Sequence, residues 1–178
     1  MAQDDFGIML DNLTQTLGTL DDTFYVVSAI SGLSLIGISL IKLKTCSTQH
    51  NANVFPHLLT LLFGTLLFGL KTFIDAASLS LFEQEAALSH ELNQIAVDSI
   101  FKPYLRFAIT VTVLLGIYSA IKGLMRLRQA SLGQETCFWQ GLTHLLGGIA
   151  CINIVTLARL IGQTTGGAVQ SLISKLFG

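Results

Sequence analysis

FYVVSAISGLSLIGISLI, residues 24–41, stands between Asp22 and Lys42 without a charge, and ten of its residues are Val, Ile, Leu or Phe. At roughly −0.3 to −0.6 kcal/mol for each apolar residue near the bilayer centre, those ten contribute about −3 to −6 kcal/mol to insertion, enough to outweigh the serines and glycines among them. The stretch therefore predicts a transmembrane helix. Three further stretches read the same way: residues 57–74 (HLLTLLFGTLLFGLKTFI), residues 105–125, and residues 138–158, uncharged but for His144. Lys71, Arg106 and Lys122 stand near the ends of their stretches, where long side chains snorkel to the headgroups. Each stretch is close to the roughly 20 residues that a helix needs to cross about 30 Å of hydrocarbon.

The composition of the whole chain agrees. Of the 178 residues 51% are hydrophobic and 12% charged, the latter about half the share of a soluble domain. A net charge of −1 supplies no basic field for nucleic acid, so sequence-specific DNA or RNA binding is not expected. A lone span must satisfy its own backbone hydrogen bonds, and no stretch alternates polar with apolar as a barrel strand would. The expected fold is all-α: a polytopic membrane protein with four transmembrane helices as two tandem hairpins, and amphipathic N- and C-terminal helices. The expected division is an amphipathic periplasmic segment (1–23), a first hairpin (24–74), a partly helical periplasmic linker (75–103), a second hairpin (104–161) and an amphipathic segment (162–178).

Orientation follows from the cations. Lys42 and Lys44 begin the link after the first span, and Arg126 and Arg128 begin the link after the third, so both links are expected on the cytoplasmic side. Ten of the eleven acids lie elsewhere, Glu135 being the exception, which puts both termini and the central loop in the periplasm. Asp4 and Asp5 stand where a secretory signal would carry basic residues, so no cleaved leader is expected. They are instead candidate caps for a helix whose stripe is Phe6, Met9, Leu10, Leu13, Leu17 and Leu20. Val169, Leu172, Ile173 and Leu176 form a second stripe beyond a flexible joint at residues 162–167.

The halves resemble each other. Gly32 precedes Lys42-Leu43-Lys44 at the same spacing at which Gly116 precedes Arg126-Leu127-Arg128, an offset of 84 positions (32 to 116), and His57-Leu58-Leu59 answers His144-Leu145-Leu146. Two hairpins in one orientation are implied, a parallel repeat rather than an inverted one.

Few residues suggest chemistry. Cys46, Cys137 and Cys151 show no CxxC spacing, and His57 and His144, which could form a metal or proton-relay pair, are better explained by structural hydrogen bonds. No catalytic, cofactor-binding or metal-ligating set is expected. The candidate helix-packing residues are Ser28, Gly32, Ser119, Gly123, Gly147, Gly148 and Asn153: the small ones let backbones approach, and the amide joins helices by hydrogen bonding. Lys42, Lys44, Arg126 and Arg128 are candidate contacts to lipid headgroups or to a lumen, although ordinary topology signals account for them too.

LIGISLIKLK (residues 35–44), LLGIYSAIKGLMRLR (114–128) and HLLGGIACINIVTL (144–157) together resemble the IcmC/DotE inner-membrane proteins of the Dot/Icm type IVB secretion apparatus, and through them the TraQ-like transfer proteins of IncI-type conjugative plasmids. The resemblance spans roughly residues 24–164. It implies a non-enzymatic bacterial inner-membrane component of a protein- or DNA-translocation machine, with other type IVB membrane subunits, copies of itself and the phospholipid bilayer as partners and no cofactor. Two alternatives stay open: a pilin-like tandem hairpin forming a ring or filament, and a small channel or transporter.

Overall fold

A computed structural model describes residues 2–47, 53–82, 102–134, 136–165 and 167. Among them the chain is helical and strand-free: α1 Ala2–Ser47, α2 Phe55–Phe68, α3 Leu70–Phe82, α4 Lys102–Ser131, α5 Thr136–Ile152 and α6 Ile154–Thr165. The expected linker helix after Phe82 and the C-terminal stripe from Val169 to Leu176 lie outside the described residues.

Two helices, Phe6–Ser47 and Lys102–Ser131, are each long and apolar enough to cross a membrane, and the count rises to four if each bent pair α2/α3 and α5/α6 forms one span. The bends are the largest departure from the sequence expectation. The stretches 57–74 and 138–158 are not continuous helices: the chain turns by 88° between α2 and α3 and by 83° between α5 and α6. The first break is at Gly69 (φ −98°, ψ 36°), a residue with little intrinsic hold on helical geometry. The second is at Asn153, whose amide side chain bonds the backbone of the preceding turn, donating to the Ile149 carbonyl at 2.9 Å.

Local chemistry accounts for the other boundaries. Pro56 lies in the first turn of α2, where its fixed φ suits the helix and its missing N–H costs nothing. The Val54 carbonyl accepts from the N–H groups of His57 and Leu58, each at 3.1 Å. Gly133 has φ 99° in the turn after α4, a left-handed conformation that favours glycine. Lys44 and Arg128 stand in the last turns of α1 and α4, where a cation complements the helix dipole. Within α1, the Thr14 and Ser34 hydroxyls fold back onto the helix, Thr14 to the Leu10 carbonyl at 2.8 Å and Ser34 to that of Ile30 at 2.9 Å, so these two need no partner outside it.

The 46 residues of α1 form one helix, and at 1.5 Å per residue it is about 69 Å long. From Ala2 onward the amphipathic segment and the span 24–41 are thus continuous, and positions 4 and 5 lie within the helix rather than at an N-cap position. Similarly, Gly162 to Thr165 belong to α6, so the expected joint there is helical; Gly32 of the first half and Gly116 of the second both sit mid-helix at close crossings. α1 packs antiparallel on α2, and α4 on α5, with α1 also against α4, where Phe6 meets Tyr104 at 5.9 Å between ring centroids. A single cluster of buried side chains joins all six helices through Leu35, Leu67, Ile74, Ile117, Ile152 and Val155.

The halves match in structure at the offset of 84. Ser47 and Ser131 end the long helices, Phe68 and Ile152 end the return helices, and Leu70 and Ile154 begin the turned segments, each pair 84 apart (68 to 152). This register corrects the pairing of His57 with His144: the equivalent of His144 is Thr60, and that of His57 is Gly141. Backbone packing sets the equivalence, and the shared His-Leu-Leu tripeptides are out of phase with it.

Candidate functional site: two glycine seams and a polar junction

The long and return helices of each half meet along faces whose residues are spaced four, three and four apart, with small residues at the closest approaches. In the first half these are Ser28, Gly32, Leu35 and Ser39, all buried. The helices approach so closely at Gly32 that a methyl placed there would lie 2.6 Å from the Gly64 carbonyl oxygen and 2.9 Å from Phe68 Cα, and would also strike the Phe68 nitrogen. A methyl on Gly64 would meet Gly32 O and Ile36 N at 3.2 Å. Ser28 donates its hydroxyl to the Leu67 carbonyl at 3.0 Å, and Ser39 to that of His57. Both hydroxyls therefore bridge the seam.

The second half repeats the device with Gly116, Ala120, Gly123 and Leu127 against Gly141, Leu145, Gly148 and Ile152. A methyl on Gly116 would come 2.8 Å from Gly148 O, one on Gly123 2.7 Å from Leu145 N, and one on Gly141 2.8 Å from Leu127 N. Ser119 donates to the His144 carbonyl at 2.8 Å. Such separations put backbone against backbone, the arrangement that lets helices associate by dispersion where lipid removes the hydrophobic drive.

Five of the candidate packing residues, Ser28, Gly32, Ser119, Gly123 and Gly148, lie in these seams. Gly147 does not: nothing comes within 4 Å of a methyl placed there, because one residue of helical rotation turns it about 100° away from its neighbour. Ser39 and Gly141 complete the seams and escaped the sequence reading. The signal for Gly141 was its spacing of seven from Gly148, one full pair of helical turns.

Asn153 sits at the α5/α6 break, 5% exposed. Its Nδ2 donates to Ser78 Oγ of α3 at 2.8 Å as well as to Ile149 O, so the break in the second half is tied to the turned segment of the first. Ser78 is fully buried and was not legible as a partner, since it is 75 residues distant.

The four cations of the links do not form one cluster of like environment. Lys42 and Lys44 are exposed, whereas Arg126 and Arg128 are half-buried. Arg126 Nη1 donates to Gln140 Oε1 at 3.0 Å and approaches Cys137 Sγ at 3.9 Å, so it braces α4 against α5. Cys137 is buried and also contacts Gln134 Oε1 at 3.5 Å. His144 Nδ1 lies 2.8 Å from the Gln140 carbonyl, a bond within its own helix. Among the described residues no group of three or more His, Cys, Asp or Glu side chains is placed to hold a metal ion. Midway along α1, burial and the neighbouring Asp22 raise the Asp21 carboxyl to about 6. A shallow cavity beside the first break is lined by Tyr25, Val26, Ala29, Phe68, Gly69 and Lys71, with Leu70 and Thr72.

No protein-family profile, curated protein or solved structure matches the chain. The arrangement is one for holding helices together. Its outward surface is apolar: Val26, Ile30, Leu33, Leu62, Leu115 and Leu146 are all at least half exposed, the reverse of a soluble domain and the expected face toward lipid or neighbouring subunits.

Proposed function

We propose that this chain is a non-enzymatic structural subunit of a bacterial inner-membrane type IVB secretion or conjugation apparatus. In this reading α1, α2, α4 and α5 cross the bilayer as two tandem hairpins, with basic links in the cytoplasm and both termini in the periplasm. The observation that carries the structural role is the pair of seams closed at backbone contact beneath an exposed apolar surface. The helices are locked within each half, and their outer faces are free for lipid, for other membrane subunits or for further copies. A solute path through either hairpin would have to open a seam in which a single methyl does not fit, so the channel or transporter alternative requires a path between the two halves or between copies. The assignment to a type IVB machine rests on the resemblance of residues 114–128 and 144–157 to the IcmC/DotE proteins.

Gentle detergent extraction of the tagged chain from its native membrane, followed by identification of what co-purifies, tests the reading. Recovery with channel subunits or secretion ATPases is expected. Recovery solely as extended homopolymers would replace it with the pilin-like reading, and solute flux through the purified chain in liposomes would replace it with the transporter.

A further inference from the structure

The two right-angle turns fall at equivalent points of the repeat, Gly69 and Asn153, and their depth can be located. Ser28 bonds the Leu67 carbonyl, and Tyr25, Val26 and Ala29 line the cavity at the first turn, so Gly69 lies beside the start of the uncharged stretch of α1. Asp21 and Asp22 follow about one helical turn beyond. Charge resumes beyond the turns as well, with Lys71 and Asp75 on α3 and Arg159 on α6. The two turned segments are also joined to each other, because Asn153 at the second turn donates to Ser78 on the segment that follows the first. The turns thus occur where an apolar slab ends and a charged layer begins.

A helix turned by 83–88° from a bilayer-crossing one runs along the membrane plane. α6 carries Ile154, Leu157, Leu160 and Ile161 on one side at helical spacing, and Val155 and Gly162 on the other. The latter pair is buried against the protein, while Leu160 and Ile161 are 43% and 51% exposed. α3 buries Leu70, Ile74 and Ser78 and leaves Leu79 and Leu81 exposed. We infer that α3 and α6 lie flat at the headgroup–acyl boundary of one leaflet, with phospholipid covering their exposed apolar residues, as amphipathic interfacial helices do. This inference rests on the membrane reading above and adds a lipid-contact surface to it. It also implies a thin apolar slab: α2, with 14 residues, rises about 21 Å against a hydrocarbon core of about 30 Å, so the leaflet beside α3 and α6 must thin or the flanking side chains must snorkel.

The test is a nitroxide scan of the full chain in phosphatidylethanolamine/phosphatidylglycerol vesicles, with Cys46, Cys137 and Cys151 replaced by Ala. Single labels at Leu58, Leu62 and Phe68 report α2, those at Thr72, Ala76, Leu79 and Leu81 report α3, and those at Leu160, Ile161 and Thr164 report α6. Relative access of oxygen and of a nickel chelate gives depth. Along α2 the depth should change by about 1.5 Å per residue; along α3 and α6 it should oscillate with the helical period around the value at Phe68. A depth that keeps changing by about 1.5 Å per residue through α3 and α6, carrying Thr164 some 16 Å beyond Asn153, overturns the inference and leaves the membrane reading intact. So does uniform access of the chelate to α3 and α6 while α2 stays shielded. Chelate access to Leu58, Leu62 and Phe68 themselves overturns both. Should the cysteine-free chain not fold, the same question is answered with the cysteines in place: Trp139→Phe combined with Leu79→Trp or Leu160→Trp, quenched by lipids brominated at different acyl depths. Strongest quenching by shallow bromines is expected, and no quenching at any depth refutes the lipid contact.

Discussion

Gly147 and Gly148 are adjacent in α5, identical in composition and opposite in environment, so replacing each by alanine isolates the contribution of the seam. A methyl on Gly148 would lie 2.7 Å from Gly116 O, 2.8 Å from Ala120 N and 3.2 Å from Ala120 Cα. These are backbone atoms of the facing helix, unable to rotate aside, and ordinary carbon contacts begin near 3.5 Å. α4 and α5 must therefore separate by several tenths of an ångström, and the dispersion contacts along the whole seam weaken with them. Overpacking of this kind costs about 1–3 kcal/mol, against a helix-propensity gain of up to about 1 kcal/mol for Gly→Ala. Gly147→Ala receives the same gain with nothing within 4 Å to oppose it. The expected outcome is a Gly148→Ala variant less stable than Gly147→Ala by about 1–3 kcal/mol, read as the difference in unfolding free energy during SDS titration from mild detergent and followed by Trp139 fluorescence. Gly32 and Gly37 offer the same contrast in the first half: Gly32 faces Phe68 and Gly64 at contact, and Gly37 faces open space. Equal stabilities within each pair, or a more stable Gly148→Ala, would refute the argument that backbone approach at the seams holds the hairpins.

A double-mutant cycle on Asn153→Ala and Ser78→Ala should return a coupling of about 0.6–1.7 kcal/mol, the range of interhelical hydrogen bonds in membranes; additive losses would show that the junction is not a bond between the halves. Because Asp21 is raised from 3.8 to about 6, the native state holds more protons than the unfolded chain between those values. Its contribution to stability is full below about 4 and is lost as pH rises through 6. An unfolding midpoint that falls over this window in the wild type and stays flatter in Asp21→Asn would agree, and identical pH profiles would not. An impermeant maleimide added outside cells should leave Cys46 and Leu132→Cys unmodified and should reach both in inverted vesicles. Cys137 is a poor reporter, since its 6% exposure would silence it on either side of the membrane.

The helical class, the apolar stretches and the basic ends were legible because they depend on composition along the chain. Ten apolar residues in 24–41 and the return of Lys-Leu-Lys as Arg-Leu-Arg at an offset of 84 need no tertiary partner to be seen. Small residues marked the seams in outline, and Ser28, Gly32, Ser119, Gly123 and Gly148 lie in them. Gly147 is not, because helical rotation relative to a neighbour is a property of the pair of helices rather than of either sequence. For the same reason the repeat register of the return helices was misplaced by the two His-Leu-Leu tripeptides, which are alike in letters and differ in the face they present.

The breaks were invisible for another reason. Glycine is common in membrane helices and Asn153 read as interhelical glue, so neither distinguished a continuous span from one that turns. Hydropathy averages over the turn: residues 70–74 and 154–158 are apolar in either geometry, since they serve a span and an interfacial helix packed on the protein equally well. Residue order alone is enough for an apolar, helical, twice-repeated chain with charges at both ends of its uncharged stretches. Tertiary structure decided which glycine faces which carbonyl, that Asn153 reaches across 75 residues to Ser78, and where the return helices leave the direction of their partners. Those choices depend on close contact between segments far apart in the chain, and no local pattern of residues encodes it.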